Sequence, residues 1–471
     1  MRPQFRQLRG RATPNPGAAM RRSTPAARRT AVVAPEHLVY FPTQLQDGTQ
    51  RHNQRFDGTR RHTRMRECVG SRRREPRLGS GSRLEPRRGE GEEEHVGSTA
   101  FAAQEMIHWA CPQCGAGVTW QDGEARCPAH GAAGRRTTDG ILEFDSSDAY
   151  WGEVEREQMR AINAAARTHG WRHALETELR PRHADLMDYV QHPARADWRV
   201  LLPLDHSRSV VLDVGAGWGA NSFGVAPDVA CVVAAEKMAE RIEWIALRAR
   251  QDQVHNLIPV RAELHALPFA PETFDAIVVN GVLEWAGLVD PAPRQGRAAN
   301  PRLLQEQFLR RLYTLLRPGG WLYVGIENRF GRMFWLGAPD HQGLRFTSLM
   351  PKPVARAYTA LRAIRAPRTY HVERDYRAWI YSFAGTRELL EGCGFESVRR
   401  YAAIPGYNVP SALVPLESTG PMRYYADRVR ARPRLLAQTR RAARRFAAAT
   451  GLEAWATSCY ALTARRGEPH A

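Results

Sequence analysis

The chain has 471 residues, of which 43% are hydrophobic, and a formal net charge of +19. This length exceeds what one ordinary hydrophobic core organises, so two or three folded units are expected. The positive charge lies at the ends: residues 1–100 hold 21 Arg against 10 acidic residues, and residues 421–471 hold 11 against 3, so residues 101–420 are neutral. Any electrostatic attraction to nucleic-acid phosphates must therefore come from the two ends.

The sequence does not predict a targeting signal or a membrane span. No run approaches the roughly 18–20 apolar residues of a membrane span, and residues 1–11 lack the apolar core of a signal peptide. The chain has seven cysteines, an odd number in which Cys111 and Cys114 form a C-x-x-C pair. This usage favours a metal site over disulfides. We therefore expect a cytoplasmic protein without a membrane span, and the sequence does not predict its oligomeric state.

Residues 1–105 form an Arg-rich tail without sustained periodicity, rich also in Pro, Gly, Ser and Gln. Such a segment buries too little apolar surface to offset its ordering entropy, so disorder is expected. An alternative is that the start was assigned too far upstream and that the native protein begins at Met106. A third interpretation is an arm attracted to RNA or membranes.

Residues 106–147 predict a small zinc ribbon. Two ligand pairs, each followed by glycine, are separated by 12 residues: Cys111 with Cys114, and Cys127 with His130. Three thiolates and one imidazole give a closed tetrahedral site, so the predicted Zn²⁺ is structural and not catalytic. A module of this size needs such a metal because its own core is too small. The alternative is a degenerate ribbon that folds without zinc.

Residues 148–204 are predicted to be mostly helical, and strand–helix alternation begins after them. The β-branched run Val210–Val214 predicts a buried strand, followed by glycines at 215, 217 and 219. A second apolar run ends at Glu236, about 20 residues on, where a carboxylate can meet a ribose hydroxyl. Further strands are predicted at 257–260, 274–280 and 321–326, and Asn300 is a candidate N-cap of a helix at 302–316. This β-α-β-α order predicts a parallel sheet.

These features together resemble the class I S-adenosylmethionine-dependent methyltransferases, in their type 11-like small-molecule subgroup. The matching features are Asp213-Val-Gly-Ala-Gly-Trp-Gly219, Glu236, Leu267-Pro268-Phe269, Phe274-Asp275, Val282-Leu283-Glu284 and Leu316-Arg-Pro-Gly-Gly320. The alternative is an NAD-type Rossmann domain, but the loop lacks the third glycine position of G-x-G-x-x-G.

The resemblance implies a Rossmann-like, doubly wound sheet of seven strands at residues 205–465, with insertions at 329–370 and 403–452. It implies that residues 148–204 cover the cofactor, and that the last strand, near Ala456–Ala464, is antiparallel. The implied cofactor-binding residues are Asp213, Gly215, Gly217, Gly219, Glu236, Glu263, Leu264 and Asn280. Two residues depart from the usual pattern: Glu263 replaces an Asp, and Trp285 stands where a His is frequent.

The acceptor pocket of such a domain is expected beyond the carboxyl ends of the fourth and fifth strands. The run Glu327-Asn328-Arg329 ends the fifth predicted strand, and we predict these residues as acceptor contacts. We predict His341 as the general base, oriented by Asp340, with Glu284 as a further catalytic candidate. The alternative is that Arg329 and Asp340 only hold a long loop.

The run from Glu327 to His341 resembles bacterial methyltransferases of surface-glycan pathways. The sequence therefore predicts O-methylation of a saccharide or other small metabolite. One alternative is ribosomal RNA base methylation, because one family of rRNA guanine methyltransferases also carries an N-terminal zinc ribbon, although with a different last ligand gap. A second alternative is a non-catalytic scaffold that binds the cofactor while the ribbon serves a partner.

Overall fold

The computed structural model describes residues 29–33, 38–42, 104–288, 299–365, 376–428 and 435–468. A central sheet dominates this part of the chain, and it contains all fourteen described strands. These are β1 Arg29–Val33, β2 Leu38–Pro42, β3 Thr119–Gln121, β4 Glu124–Cys127, β5 Gly131–Arg136, β6 Leu142–Glu143, β7 Val210–Val214, β8 Cys231–Glu236, β9 Leu257–Arg261, β10 Phe274–Asn280, β11 Leu316–Glu327, β12 Phe395–Ile404, β13 Ala412–Pro415 and β14 Cys459–Arg466.

The middle of the sheet has the order β12-β14-β11-β10-β7-β8-β9. The strands from β11 to β9 are parallel neighbours, whereas β14 pairs antiparallel with both β11 and β12. Every residue of β7 and β8 is buried, as near-continuous apolar runs in a parallel sheet require. These seven strands have the Rossmann-like arrangement that the sequence predicts, including the antiparallel last strand.

The sheet is longer than the predicted seven strands, which corrects that expectation. Beyond β9, the short strand β6 pairs in parallel and leads into β5, β4 and β3 of the Cys/His module. Beyond β12 lies β13, which pairs with β1, and β1 forms a hairpin with β2. Each extension satisfies backbone groups that an edge strand would leave unpaired. The disorder predicted for the rest of residues 1–103 falls outside the described residues.

Helices cover both faces of the sheet. In chain order they are α1 Arg156–His169, α2 Trp171–Ala174, α3 Arg180–His183, α4 Met187–Gln191, α5 Ala220–Val225, α6 Ala239–Gln251, α7 Leu283–Ala286, α8 Pro301–Leu315, α9 Arg332–Trp335, α10 Lys352–Arg365, α11 Phe383–Gly392, α12 Thr419–Arg428, α13 Leu435–Thr450 and α14 Leu452–Ala456. A π-helical turn at Leu175–Leu179 and 3₁₀ turns at Ala184–Leu186, Pro193–Leu201, Ala226–Asp228 and Thr347–Leu349 join some of them. None of the helices in the described ranges is long and apolar enough to cross a bilayer.

Local sequence explains where α8 begins. The side chain of Asn300 accepts a hydrogen bond of 3.0 Å from the backbone nitrogen of Arg302, and Pro301 occupies the first turn. An Asn cap satisfies a backbone donor that the first turn leaves free, and proline has no such donor to leave. Leu304, Phe308, Leu312 and Leu315 face the core at helical spacing. The predicted helix and its cap are therefore present.

The helical segment before β7 packs on the first helices of the domain. The Trp171 indole nitrogen donates to Asp252 at the end of α6 over 2.9 Å, and Trp198 donates to Asn221 in α5 over 3.1 Å. Met159, Ile162, Leu175 and Leu179 are fully buried in the same core as Trp218 and Trp244. These contacts place residues 150–201 over α5 and α6, next to the glycine loop.

Candidate active site

The glycine loop leaves β7 in a backbone conformation that demands glycine. Gly215, Gly217 and Gly219 all have positive φ, at 65°, 58° and 79°. A Cβ at Gly215 would lie 2.8 Å from Val282, and one at Gly219 would lie 2.9 Å from Phe223. At Gly217 the nearest atom would be 3.7 Å away, on Arg241. The loop thus fits tightly at its two ends and leaves room above Gly217 for a ligand to approach the backbone.

Glu236 closes the loop from the neighbouring strand. Its carboxylate accepts hydrogen bonds from the backbone nitrogens of Gly217, at 2.8 Å, and Met238, at 2.9 Å. The side chain is buried at the carboxyl end of β8. This contact brings the predicted cofactor acid against the predicted glycine loop, 19 residues apart in sequence.

Two further predicted cofactor residues lie beneath the loop. Asp213 accepts a hydrogen bond of 2.6 Å from the hydroxyl of Ser222, and burial raises the pKa of Asp213 to about 6. The amide nitrogen of Asn280 lies 3.4 Å from the amide oxygen of Asn221. The Asn280 amide oxygen is buried and has no hydrogen-bond partner among the described residues. Asp213 therefore connects α5 to β7, while the Asn280 amide oxygen stays available as a hydrogen-bond acceptor at the end of β10.

The predicted adenine-side residues are held by a surface ion pair. Glu263 pairs with Lys237, and its other oxygen accepts a hydrogen bond of 3.0 Å from the backbone nitrogen of Leu264. Both acids, Glu236 and Glu263, follow neighbouring strands, β8 and β9, at the same edge of the sheet. The structure thus joins Glu236 to the glycine loop and places Glu263 at the end of the neighbouring strand.

A charged group that the sequence analysis missed covers the glycine loop. Arg241 forms a buried ion pair with Glu153, whose carboxylate also accepts a hydrogen bond of 3.2 Å from the Trp218 indole. The Tyr189 hydroxyl lies near the place where a Gly217 Cβ would stand. Glu153 and Tyr189 come from the segment before β7, whereas Arg241 comes from α6. Only the three-dimensional fold brings them together, so no local pattern could have identified them.

A second group of predicted residues meets at the carboxyl ends of β10 and β11. We call Glu284, Glu327 and His341 the Glu–His cluster. The Nε2 atom of His341 lies 3.4 Å from Glu327 Oε2 and 3.6 Å from Glu284 Oε1. The hydroxyl of Tyr407 donates to Glu327 Oε1 over 2.8 Å. Tyr407 was missed from the sequence as a partner of this group because 80 residues separate it from Glu327.

Burial and charge set the protonation of this cluster. Burial, and then the charge of Glu327, raise the pKa of Glu284 well above its ordinary value. Burial also acts to raise the pKa of Glu327, but His341 and the Tyr407 hydroxyl outweigh it and lower that pKa. Burial acts to lower the pKa of His341, and the neighbouring Glu327 carboxylate reverses this into a rise. Burial therefore favours the neutral form of Glu284, while Glu327 and His341 stabilise each other's charged forms.

Two tryptophans line the approach to the cluster. The Trp285 ring meets the His341 ring edge-on with centroids 5.1 Å apart, and Trp151 stacks on Trp285 at 4.4 Å. Trp151 is 41% exposed. Val282, in the same turn as Trp285, fills the space beside Gly215. The turn Val282–Trp285 therefore contacts the glycine loop on one side and the Glu–His cluster on the other.

The remaining predicted acceptor residues hold loops in place. Arg329 donates to the backbone oxygens of Ser348, at 2.8 Å, and Met350, at 2.5 Å. The amide nitrogen of Asn328 donates to the backbone oxygens of Trp455 and Thr457, at 2.6 and 2.8 Å. These contacts agree with the loop-holding alternative for Arg329.

Asp340 has a similar part in the loop that carries His341. Its carboxylate accepts from the backbone nitrogens of Gln342 and Leu344 and, at 2.5 Å, from the hydroxyl of Thr347. The carboxylate that meets the Nε2 atom of His341 belongs to Glu327. The structure thus gives the orienting contact, predicted for Asp340, to Glu327.

The four predicted metal ligands also converge. The sulfur atoms of Cys114 and Cys127 lie 3.6 Å apart, and the Nδ1 atom of His130 lies 3.7 Å from the Cys111 sulfur and 3.6 Å from the Cys127 sulfur. Tetrahedral zinc bonds of about 2.0–2.3 Å place neighbouring ligand atoms at about these separations. The arrangement fits a four-coordinate metal ion.

Comparison with known families identifies one domain within the chain. Residues 212–324, from β7 to β11, match the family described as a methyltransferase domain. The chain thus contains an S-adenosylmethionine-dependent methyltransferase domain. The curated tRNA (guanine-N(7)-)-methyltransferase of Thermus thermophilus is 32% identical over 172 residues, which are 34% of this chain and 51% of that protein. The chain spans about half the length of this relative.

Solved structures are similar at a lower level. A SAM-dependent methyltransferase from Aquifex aeolicus is 13% identical, with 59% of this chain and 92% of that chain covered and a TM-score of 0.32. The phosphoethanolamine N-methyltransferase 2 of Haemonchus contortus, in complex with S-adenosyl-L-methionine, is 10% identical, with 68% and 62% covered and a TM-score of 0.34.

Proposed function

We propose that this protein transfers a methyl group from S-adenosylmethionine to a hydroxyl of a saccharide or other small metabolite. The observation that carries the proposal is the convergence of Glu284, Glu327 and His341 beside the turn that packs against the glycine loop. Proton-holding groups at the carboxyl edge of the sheet suit an acceptor that must lose a proton.

The residues around the glycine loop fit the cofactor. The open space above Gly217 suits the methionine part, and Glu236, fixed by two backbone donors, suits the ribose hydroxyls. We propose Glu263 and the backbone of Leu264 as the adenine contacts, because they follow β9 beside Glu236 at the end of β8. Arg241, whose charge Glu153 balances, places guanidinium donors beside Gly217, which suit the methionine carboxylate. Asn280, with its unsatisfied amide oxygen, faces the same edge of the sheet.

The Glu–His cluster supplies the acid–base part of the reaction. When bound, S-adenosylmethionine supplies an electrophilic methyl group. The acceptor oxygen must give up its proton as its new bond to carbon forms, and Glu327, whose carboxylate stays charged beside His341, is the member of the cluster that can take that proton. Glu327 fixes the His341 ring, and Tyr407 fixes Glu327. Asp340, Asn328 and Arg329 act by holding the surrounding loops, so we propose positioning and not acceptor contact for them.

Calorimetry with S-adenosylmethionine is the first test. We expect micromolar binding by the whole chain and its loss in Gly217→Asp, because the new carboxylate would crowd Arg241 and repel Glu236 in a backbone conformation that disfavours side chains. Gly392→Asp is the matched control, since no atom lies within 4 Å of a Cβ there. A folded protein that fails to bind S-adenosylmethionine would contradict the proposal.

Transfer is tested separately from binding. Tritiated methyl groups should appear in saccharide or small-metabolite pools with the wild-type protein, and transfer should fall at least about a hundredfold in His341→Ala. Cofactor binding without transfer to any pool would instead favour the non-catalytic scaffold.

RNA methylation is the second candidate, favoured by the similarity to a tRNA methyltransferase. Two observations count against it: residues 101–420 have no net charge, and the Glu–His cluster suits a hydroxyl acceptor. Labelled methyl groups recovered in RNA, and not in saccharides, would establish this candidate in place of the first.

We also propose that Cys111, Cys114, Cys127 and His130 hold one structural Zn²⁺. All four positions of a tetrahedral ion are filled by the protein, so the site leaves no place for substrate. The ion would stabilise a module whose strands β3–β6 bury few side chains. Metal analysis of the purified protein should find one zinc per chain at this site.

A further inference from the structure

We infer that Glu284, Glu327 and His341 form a second metal site, which binds one divalent transition-metal ion. The inference deepens the proposed function, because the ion would bind the acceptor hydroxyl and lower its pKa so that the proton passes to water, while the three side chains act as ligands. The binding itself does not depend on methyl transfer. One ligand atom from each of the three side chains lies within 4.8 Å of the other two. The site is separate from the Cys/His module, whose four ligands form the other such group in the described part of the chain.

The spacing of the donor atoms suits a small ion. Metal–nitrogen and metal–oxygen bonds of about 2.0–2.2 Å place adjacent ligand atoms about 3.0–3.5 Å apart. The measured separations from His341 Nε2 are 3.4 Å to Glu327 and 3.6 Å to Glu284. An ion can therefore sit between the three groups with only small side-chain movements.

The condition of Glu284 gives an independent reason to place an ion here. Its side chain is fully buried, and within the described structure neither carboxylate oxygen has a hydrogen-bond partner. Burying a carboxyl group without hydrogen bonds is costly. Among the described residues, the positively charged partner facing it is His341, which Glu327 shares. A divalent ion would satisfy Glu284 and balance both carboxylates.

The surroundings resemble the support that metal ligands need. Tyr407 donates to Glu327 Oε1, which leaves Oε2 directed at His341 and the proposed ion. Such hydrogen bonds to ligating carboxylates fix their orientation. Three protein ligands leave coordination positions open, and the partly exposed His341 marks the side from which an acceptor would enter.

The ligand set predicts the class of ion. One imidazole and two carboxylates suit Mn²⁺, Fe²⁺ or Zn²⁺ better than Mg²⁺ or Ca²⁺, which prefer all-oxygen sites. The three thiolates of the Cys/His module prefer zinc. Mn²⁺ therefore distinguishes the two sites, because it has little affinity for thiolates.

Electron paramagnetic resonance measures this directly. Whole chain carrying a single equivalent of zinc, which the thiolates of the Cys/His module hold, is titrated with Mn²⁺, and loss of the free-ion signal gives the stoichiometry and affinity. We expect one Mn²⁺ per chain, at least about a hundredfold weaker binding in His341→Ala and in Glu284→Gln, and about tenfold weaker binding in Tyr407→Phe. Glu391→Gln, a substitution on the exposed part of α11, is the matched control and should bind as the wild type does.

Each outcome decides the inference. No Mn²⁺ binding by a protein that still binds S-adenosylmethionine would overturn it, as would binding that the cluster variants leave unchanged. Cofactor binding also shows that each variant is folded. Mn²⁺ binding without methyl transfer would leave the metal site standing and refute the proposed function. Methyl transfer that a chelator leaves unchanged, by a protein that binds no Mn²⁺, would support the proposed function and refute the metal site.

Discussion

Individual side chains join parts of this chain that local patterns cannot relate. Arg241 pairs with Glu153 across 88 residues and lies beside Gly217, while Tyr407 reaches Glu327 across 80. Both contacts are buried, where a lost partner leaves a charge or donor unsatisfied. Residues distant in sequence therefore determine the geometry of the glycine loop and of the Glu–His cluster as much as neighbouring residues do.

Lys352 gives a residue-level prediction about pH. Its ammonium lies 4.3 Å from the Trp379 ring and 5.2 Å from the Tyr376 ring. Burial, and then the charge of Arg329, lower the pKa of Lys352 to about 7. The unfolded chain thus binds more protons between about pH 7 and 10, and stability rises with pH in that window. Below pH 7 both states are protonated and the full penalty remains.

The measurement is urea unfolding from pH 6.5 to 10. Lys352→Met should be more stable than the wild type at pH 7 by up to about 4 kcal/mol, and the difference should shrink towards pH 10. Lys352→Arg stays charged throughout, so its stability should not gain with pH in this way. Parallel pH profiles for the wild type and Lys352→Met would contradict the prediction.

The sequence predicted the part of the site that lies within one strand–loop–strand pattern. It did not predict the contacts between distant segments. Gly215, Gly217 and Glu236 belong to one strand–loop–strand pattern whose spacing fixes their meeting, and they do meet. His341 and Glu284 were selected as chemical types, but their partner Glu327 was expected to contact the acceptor. Which carboxylate faces an imidazole depends on the path of a loop of over ten residues, and sequence spacing does not determine that path.

At the scale of elements, the Cys/His module is part of the same sheet as the methyltransferase domain. Strand β6 pairs with β9, and the backbones of Ala110 and Ala270 bond to Pro268 and His108 at 3.0 and 2.8 Å. Trp109 contacts Phe269 and stacks on Phe144. The sequence predicted the module but not this junction, because β6 has two residues and its partner lies over a hundred residues away.

This junction predicts that the module stabilises the whole domain. Cys127→Ser should lose zinc and lower the midpoint of thermal unfolding by several degrees, since a structural metal contributes to folding. Cys393→Ser is the control, because Cys393 is a buried cysteine between α11 and β12 and is not one of the four predicted metal ligands. Calorimetric unfolding with metal analysis gives both readings. An unchanged midpoint in zinc-free Cys127→Ser would show that the module is an independent appendage.

The last strand predicts a large effect of a small deletion. Strand β14 lies between β11 and β12 and pairs with seven residues of β11, from Trp321 to Glu327. Removing residues 459–471 would expose the inner edges of both neighbours, so we expect loss of cooperative unfolding and of cofactor binding. Removing only 469–471 leaves β14 intact and serves as the control. Near-wild-type circular dichroism and cofactor binding in the longer deletion would refute this expectation.

At the scale of the whole molecule, charge and chemistry are segregated. Residues 101–420, which have no net charge, contain the glycine loop, the Glu–His cluster and the Cys/His module. The excess Arg lies in residues 1–100 and 421–471. An enzyme that reads RNA through its active-site face would need positive charge near that face. This distribution agrees with a small acceptor at the cluster and assigns any polyanion binding to the ends.

RNA binding by the whole chain should therefore be strong at low salt and unrelated to methyl transfer. Between about 50 and 200 mM salt we expect the affinity for single-stranded RNA to fall by about tenfold or more, because arginines release counterions. Deleting residues 1–103 removes a net charge of about +11, so the slope of log affinity against log salt should become much shallower while S-adenosylmethionine binding is retained. Fluorescence anisotropy over a salt series measures both slopes. An unchanged slope in the deletion would place the phosphate contacts in the folded region and would return RNA methylation to first place among the functions.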